Sequence, residues 1–483
     1  MRATTSRKLD SGKKWIIPLV IFIGSILFEY FLGNKIFFHS YDSIKGVQEF
    51  LNDEIGLSIF DNYYNTSEEN QIDPSPENKT NENDVFLEFL DEEKKDDKKI
   101  DIDKFVKDVD GKILFSEIMH YFNTNTFFIM LCAIIYNFAN VYKVFILTNC
   151  IFIANFISST LCFIFHSPRP YYTYFSIKPV IMFNEWGSPN TQTVVLIAFA
   201  LTFYEIILKN KKLGNSKAGK IIVLIIIVLI VLFDIFLLFA SGNISYNQII
   251  FSVCIGIVTY QIIFLLFKAD VNNSKQLFNF LKFKAKYYIF INVILLSFQY
   301  ILHAFVIDKL DEDYFTENID EQQGRLFYSK FLNDNFNYRR HFYLNKGNFC
   351  NVICFGMNLV AFLTLKLELF WTYKGDYEAW SSCNFERPPE GNQLLDISAD
   401  DFFIRDATQW NHTGTFKTTI RLIVMIIFCL CCLVPSVLIY YLIDSSETNG
   451  YIFIYGIPIF LLVFGMFYFF KVIFRCLKLA KKR

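Results

Sequence analysis

The sequence predicts an all-α, polytopic integral membrane helical bundle with about ten membrane-spanning helices. The chain has 483 residues, of which 53% are hydrophobic and 19% charged, and its mean hydropathy is +0.32. The apolar residues, 57 Phe among them, form blocks long enough to cross a bilayer, which takes about 20 residues per helix. Because the backbone in hydrocarbon must satisfy its hydrogen bonds within the protein, we interpret such blocks as helices.

The first apolar block, residues 15–32, follows a basic leader of residues 1–14. It is long for the apolar region of a signal peptide, and no small-residue cleavage site follows it. We therefore interpret it as a retained signal anchor. The other predicted spans are residues 122–140, 143–165, 191–208, 220–240, 248–267, 285–306, 349–372, 418–443 and 451–474.

Lysine and arginine residues predict the orientation of these spans. They are concentrated in the leader, in residues 209–220, in residues 268–286 and in the C-terminal tail. With about ten spans, all four segments fall on one face of the membrane. Because basic loops stay on the cytosolic side, both termini are predicted to be cytosolic.

Three longer segments then lie on the opposite, outer face: residues 33–121, 166–190 and 307–348. The first is acidic and Asn-rich, and we expect its middle to be disordered. Its end, residues 102–117, is predicted to form an interfacial helix. Sequons at Asn65 and Asn78 lie on this outer side and favour an endomembrane such as the endoplasmic reticulum, with an organellar inner membrane as the alternative. The inner loop 374–416 has no catalytic spacing, and we interpret it as a partner-binding segment.

One outer loop has the composition of a phosphate site. It contains His166-Ser-Pro-Arg-Pro-Tyr-Tyr172 and then Glu185-Trp-Gly-Ser-Pro-Asn-Thr-Gln-Thr193. A guanidinium such as that of Arg169 can bind two phosphate oxygens at once, and the amides of the following helix can also face an anion. Alternatively, Arg169 is an interfacial anchor and its flanking prolines only end the third span.

A second outer turn, Ser241-Gly-Asn-Ile-Ser-Tyr-Asn-Gln248, joins the fifth and sixth spans. The order of spans, Arg-Pro loop, Trp-Gly-x-Pro turn and this second turn resembles the type-2 phosphatidic-acid phosphatase superfamily. These are the lipid phosphate phosphatases related to glucose-6-phosphatase and vanadium haloperoxidases. The resemblance covers residues 122–267 and implies a central six-helix lipid-phosphatase-like core. Residues 268–483 would then add further spans.

The resemblance assigns a phosphate or lipid site to eight residues: Arg169, Pro170, Tyr171, Trp186, Gly187, Pro189, Gln192 and Gly242. At most catalytic positions of the family, this chain has a residue that cannot perform the same chemistry. Cys162 stands at the position of the first-motif lysine, and Gln192 at that of the acid histidine. In the third motif Leu237 and Leu238 replace Ser-Arg, Ile244 replaces the nucleophilic histidine, and Gln248 replaces the aspartate.

These substitutions remove the nucleophile, the proton donor and two cations that would stabilise the transition state. We therefore expect an inactive member, a pseudophosphatase, which binds lipid or phosphate or packs within a membrane assembly. One alternative is an active phosphatase on phosphatidic acid or sphingosine phosphate, with His166 as a relocated nucleophile. Another is a structural subunit of a membrane complex whose old pocket is filled.

Membrane lipids and other membrane proteins are the expected partners. The net charge of −1 excludes a basic surface for nucleic acid, and we expect neither a cofactor nor a metal. Cys350 and Cys354 lie at helical spacing but have no further ligands beside them. Charged residues inside predicted spans are rare; Asp234, in the fifth, could pair with a polar group, and Glu29 lies near the outer end of the first.

Overall fold

A computed structural model describes residues 2–53, 125–137, 141–165, 186–205, 217–267, 285–309, 344–372, 415–442 and 448–477, together with residues 167, 169, 170, 177 and 479. Throughout these ranges the ordered elements are helices, and none of the described residues lies in a strand. In chain order the helices are α1 (Arg2–Asp53), α2 (Asn125–Tyr136), α3 (Val141–Phe165), α4 (Thr191–Phe203), α5 (Lys217–Ala240), α6 (Tyr246–Leu266), α7 (Ala285–Lys309), α8 (Leu344–Thr372), α9 (Thr415–Leu442) and α10 (Thr448–Phe464). A π-helical turn, Gly465–Phe469, connects α10 to α11 (Phe470–Cys476).

Four helices among the described residues are long and apolar enough to cross a membrane: Trp15–Gly33, Lys143–Phe165, Ile221–Ala240 and Tyr246–Leu266. Shorter apolar helices lie in α2, α4, α7, α8 and α10. The helical class is therefore confirmed, and four of the described helices have the length and composition of membrane spans. The total of about ten spans and the lipid-phosphatase-like core stay predictions.

The first helix is longer than its predicted span. It has 52 residues and is about 78 Å long, whereas the hydrocarbon core of a bilayer is about 30 Å thick. Residues 33–53, which we expected to begin an outer loop, continue the helix beyond the apolar segment Trp15–Gly33. Residues 54–121, with both sequons and the expected interfacial helix, lie outside the described residues, as do most of the loops 307–348 and 374–416.

Helix α3 lies at the centre of the bundle and α5 at its edge. In the most apolar 18-residue stretch of α3, 78% of residues are buried, against 6% in that of α5. Helix α3 contacts α2, α4, α6, α7 and α8, and its side chains Phe145, Leu147 and Ile151 are buried in the main hydrophobic core. Helix α5 contacts α4 and, more weakly, α1, so most of its apolar surface is left to lipid.

Neutral polar side chains join the helices inside this bundle. The hydroxyl of Tyr288 in α7 lies 2.6 Å from Oδ1 of Asn149 in α3 and 2.6 Å from Oδ1 of Asn358 in α8. Asn125 of α2 and Asn155 of α3 exchange amide hydrogen bonds of 2.8 and 2.6 Å. Such bonds add specificity where apolar side chains meet equally apolar lipid.

Helices α4 and α6 pack closely at Gly256 and thereby bring the two loop motifs together. A Cβ atom at Gly256 would lie 2.9 Å from Cβ of Ile197 and 3.2 Å from the backbone oxygen of Val194. We expect Gly256→Ala to lower the free energy of unfolding by about 1–3 kcal/mol, because the helices must separate. Thermal unfolding of the purified protein in detergent measures this loss.

The matched control is Gly24→Ala, since no atom lies within 4 Å of a Cβ placed at Gly24. There the substitution should be neutral or stabilise the helix by up to about 1 kcal/mol. Equal stability of the two variants would contradict the close packing of α4 on α6.

Candidate functional site

Arg169, the residue expected to face phosphate, is buried without exposed surface. Its Nη1 donates a hydrogen bond of 2.9 Å to the backbone oxygen of Asn243, in the turn between α5 and α6. The Arg-Pro loop is therefore joined to the second outer turn by a charged side chain. Pro170 beside it is also buried, whereas His166 and Tyr171 lie outside the described residues.

The Trp-Gly-Ser-Pro segment forms a tight turn before α4. The amide of Gly187 donates to the backbone oxygen of Ser167 at 2.8 Å, and the peptide bond between Ser188 and Pro189 is cis. Asn190 then caps α4, since its Oδ1 accepts a 2.9 Å hydrogen bond from the amide of Thr193. The backbone N–H of Asn190 donates to Oγ of Ser252 in α6 at 2.8 Å. An N-cap and a contact between helices thus hold this turn in place.

Gln192, which the resemblance aligns with the acid histidine, is the second residue of α4 and is partly buried. Its Oε1 is buried and has no hydrogen-bond partner within the described part of the chain. A neutral amide at this position supplies no titratable proton.

The second turn depends on Gly242 and Gln248. Gly242 has φ +70°, and a Cβ there would lie 2.3 Å from Cγ2 of Ile177, so glycine is required. Gln248 Oε1 accepts from the amide of Ser245 at 3.1 Å and completes a capping box at the start of α6. Its Nε2 donates to Oγ of Ser167 at 3.3 Å. Gln248 therefore ties this turn to the Arg-Pro loop, and the turn residue Gly187 leaves room for its side chain.

Four of the predicted motif positions meet in a single apolar cluster. These are Cys162, Trp186, Leu238 and Ile244, none more than 5% exposed. We call them, together with the other buried members, the motif cluster. Those other members are Ile44, Ile177 and Phe239. Ile244, which the resemblance would place at the position of the nucleophile, is fully buried and packs against other apolar side chains.

Cys162 is the one described member of the motif cluster with a nucleophilic atom. Its thiol donates to the backbone oxygen of Pro189 at 3.2 Å and lies 4.0 Å from that of Trp186. Cys162 thus packs among apolar side chains, and its thiol donates to the residue that precedes the N-cap of α4.

Helix α1 covers this site, a role that the sequence analysis missed. Ile44 is fully buried in the motif cluster, and Gln48 Nε2 donates to the backbone oxygen of Ala240 at 2.9 Å. Ser40 Oγ accepts from the amide of Tyr246, the first residue of α6, at 3.0 Å. The apolar residues Phe37, Tyr41, Ile44 and Val47 recur at helical intervals, and this pattern could have revealed the packed face.

Glu29 of α1 is also part of the site. Its carboxyl oxygens accept from Nδ2 of Asn247 at 3.1 and 3.3 Å, and Oε1 accepts from the hydroxyl of Ser188. Only 7% of Glu29 is exposed. A charged residue inside an apolar block must find polar partners, and that rule could have directed attention to it. Asp234 of α5, also inside an apolar block, has a buried Oδ2 without a hydrogen-bond partner among the described residues.

The chain matches no family model, no curated protein and no solved structure.

The apolar surroundings of Ile244 predict how the protein responds to a histidine at this position. We expect Ile244→His to lower the free energy of unfolding by about 2–4 kcal/mol, because an imidazole there enters an apolar environment. Ile244→Val removes a methylene without adding a polar group and should cost about 0.5–1.5 kcal/mol. Thermal unfolding in detergent compares them, and equal stability of the two variants would show that the position tolerates a polar ring.

Proposed function

We propose that this chain is a non-catalytic, multi-pass membrane protein, a pseudophosphatase whose former substrate site is closed by its own first helix. The observation that carries the proposal is the motif cluster, in which Cys162, Leu238 and Ile244 pack against Ile44 of α1. In the resembling family these three positions hold a lysine, an arginine and the nucleophilic histidine. Here they form part of a hydrophobic core, so the protein acts as a structural component of its membrane.

The chemistry of the site supports the same proposal. Phosphoryl transfer needs a nucleophile in line with the leaving group and cations around the phosphorus oxygens. The described side chains at the family's positions supply an isoleucine, a thiol that donates to a carbonyl and an amide. Arg169, the retained cation, donates to the Asn243 carbonyl and holds two loops together.

Between the two non-catalytic roles, lipid or phosphate binding and structural packing, the burial of Arg169 favours packing. A phosphate-binding arginine presents its fork to the ligand, whereas this side chain has no exposed surface. Its contact with Asn243 lies between the two turns that begin α4 and α6. Arg169 would then stabilise the bundle whether or not lipid is bound.

We also propose the topology derived from the sequence: about ten spans, both termini in the cytosol and an endomembrane location, with the lipid-phosphatase-like core at residues 122–267. The helices found at the predicted blocks support the spans, and four of them meet the length and composition of a span. The orientation and the location rest on the distribution of Lys and Arg and on the sequons. The active alternative depends on His166, which lies outside the described residues, and the assay below decides it.

The test is phosphate release by purified protein reconstituted into vesicles that contain phosphatidic acid or sphingosine phosphate. We expect no release above that of protein-free vesicles, and no change in Arg169→Ala or His166→Ala, because the described motif positions supply no histidine to attack phosphorus. A reconstituted, active lipid phosphatase is the positive control, and a monodisperse gel-filtration peak shows that each sample is folded. Release by the wild type that both substitutions abolish would contradict the proposal and identify His166 as the nucleophile.

The same samples separate structural packing from lipid binding. If Arg169 stabilises the bundle, Arg169→Ala should lower Tm in detergent while the amount of co-purified anionic lipid stays unchanged. Loss of co-purified lipid without loss of stability would instead assign a lipid-binding role to Arg169.

A further inference from the structure

Glu29, Ser188 and Asn247 come from three separate parts of the chain and meet where α6 begins. We propose that Ser188 and Asn247 form an oxyanion cradle, that the Glu29 carboxylate is its built-in ligand, and that the cradle accepts a carboxylate or phosphate group when Glu29 is removed. This goes beyond the proposed function, because it assigns a ligand chemistry to a pair of donors whether or not the protein has activity.

In the cradle, Ser188 and Asn247 donate hydrogen bonds and Glu29 accepts them. Both oxygens of Glu29 lie within hydrogen-bond distance of Asn247 Nδ2, at 3.1 and 3.3 Å, and an amide NH₂ group can only donate. The hydroxyl of Ser188 supplies a second donor to Oε1. Ser245 donates its hydroxyl to Oδ1 of Asn247 and so holds the NH₂ group of that amide towards Glu29. Two donors from different segments therefore converge on one carboxylate.

The position of the cradle favours a negative charge. Asn247 is the second residue of α6, and its N-cap is Ser245. The partial positive charge at a helix N-terminus stabilises an anion within the first turn. Glu29, Ser188 and Asn247 are all more than 90% buried, so these hydrogen bonds are shielded from water.

Gly33 leaves space for the built-in ligand. A Cβ at Gly33 would lie 3.1 Å from Cδ and 3.2 Å from Oε2 of Glu29, so the carboxylate folds back against the α1 backbone at that glycine. Glu29 lies one turn, about 6 Å, before the end of the apolar segment Trp15–Gly33. That depth is close to the level of lipid head groups. The phosphate of an anionic lipid and a free phosphate ion share the chemistry that the cradle would recognise.

The experiment replaces the ligand. Glu29→Ala removes a group that acetate matches in size and charge, and it should lower Tm of the purified protein. Acetate at ten times its Kd should then raise the Tm of Glu29→Ala by about 1–2 °C at constant ionic strength. Acetamide has the same shape without the charge and should not raise it. Equal rises with acetate and acetamide would overturn the proposal.

Two control variants test whether the donors are responsible. The double variant Glu29→Ala/Asn247→Ala lacks the main donor and should lose the response to acetate. Gln48→Ala removes another buried polar contact of α1, the one with Ala240, and should be destabilised without any response. A response to acetate in either control variant would show that acetate acts elsewhere.

The source of a natural ligand is tested on Glu29→Ala with inorganic phosphate and with vesicles of phosphatidic acid or phosphatidylcholine. A rise in Tm with inorganic phosphate identifies a soluble oxyanion, and a rise with phosphatidic acid alone identifies a lipid head group. Either result supports the cradle. No rise with acetate, phosphate or phosphatidic acid overturns it.

If Glu29→Ala does not fold, a substitution cycle replaces it. Asn247→Asp places a second acceptor against the carboxylate and should lower Tm more in the wild type than in the Glu29→Gln background, where an amide faces it. An equal loss of Tm in both backgrounds would overturn the proposal. Because these readouts are thermal, their failure is distinct from the appearance of phosphatase activity, which would contradict only the proposed function.

Discussion

Helix α1 contacts α6 and the turn before it through one carboxylate, one hydroxyl, one amide and a buried isoleucine. Glu29 reaches Asn247, Ser40 reaches the first amide of α6, Gln48 reaches Ala240, and Ile44 enters the motif cluster. Each polar contact satisfies a group that would otherwise be buried without a partner, which costs several kcal/mol in a membrane. The covering of the motif cluster by α1 and the position of α1 against α6 therefore both follow from the need to pair these buried polar groups.

The same requirement applies to the other buried polar residues around the motif cluster. Arg169 and Gln248 each link the Arg-Pro loop to the turn before α6. The side chain of Asn190 caps α4, and its backbone N–H donates to Ser252 of α6. Removing any one leaves a buried donor or acceptor unpaired, which is more destabilising than the net value of the bond. Structural need alone is enough to retain these residue types at these positions.

Much of the helical architecture could be predicted from apolar block length, because a helix in hydrocarbon is determined by its own segment. The first span, predicted at 15–32, corresponds to the apolar segment Trp15–Gly33. The structure brings Cys162, Trp186, Leu238 and Ile244 into one apolar cluster, a grouping that the sequence analysis did not predict. The helical extension to Asp53 was not predicted, since its apolar residues are spaced among polar ones in a segment that is acidic as a whole.

The sequence by itself determined the class of the protein: apolar helices with few charges, and a set of motif positions without a nucleophile. Both are local properties, set by residue type and spacing. Only the tertiary structure decided what occupies the site, because Glu29 and Ile44 are more than a hundred residues from the groups they contact. Contacts at such separations depend on how α1 packs against α6, and a single sequence carries no direct record of that packing.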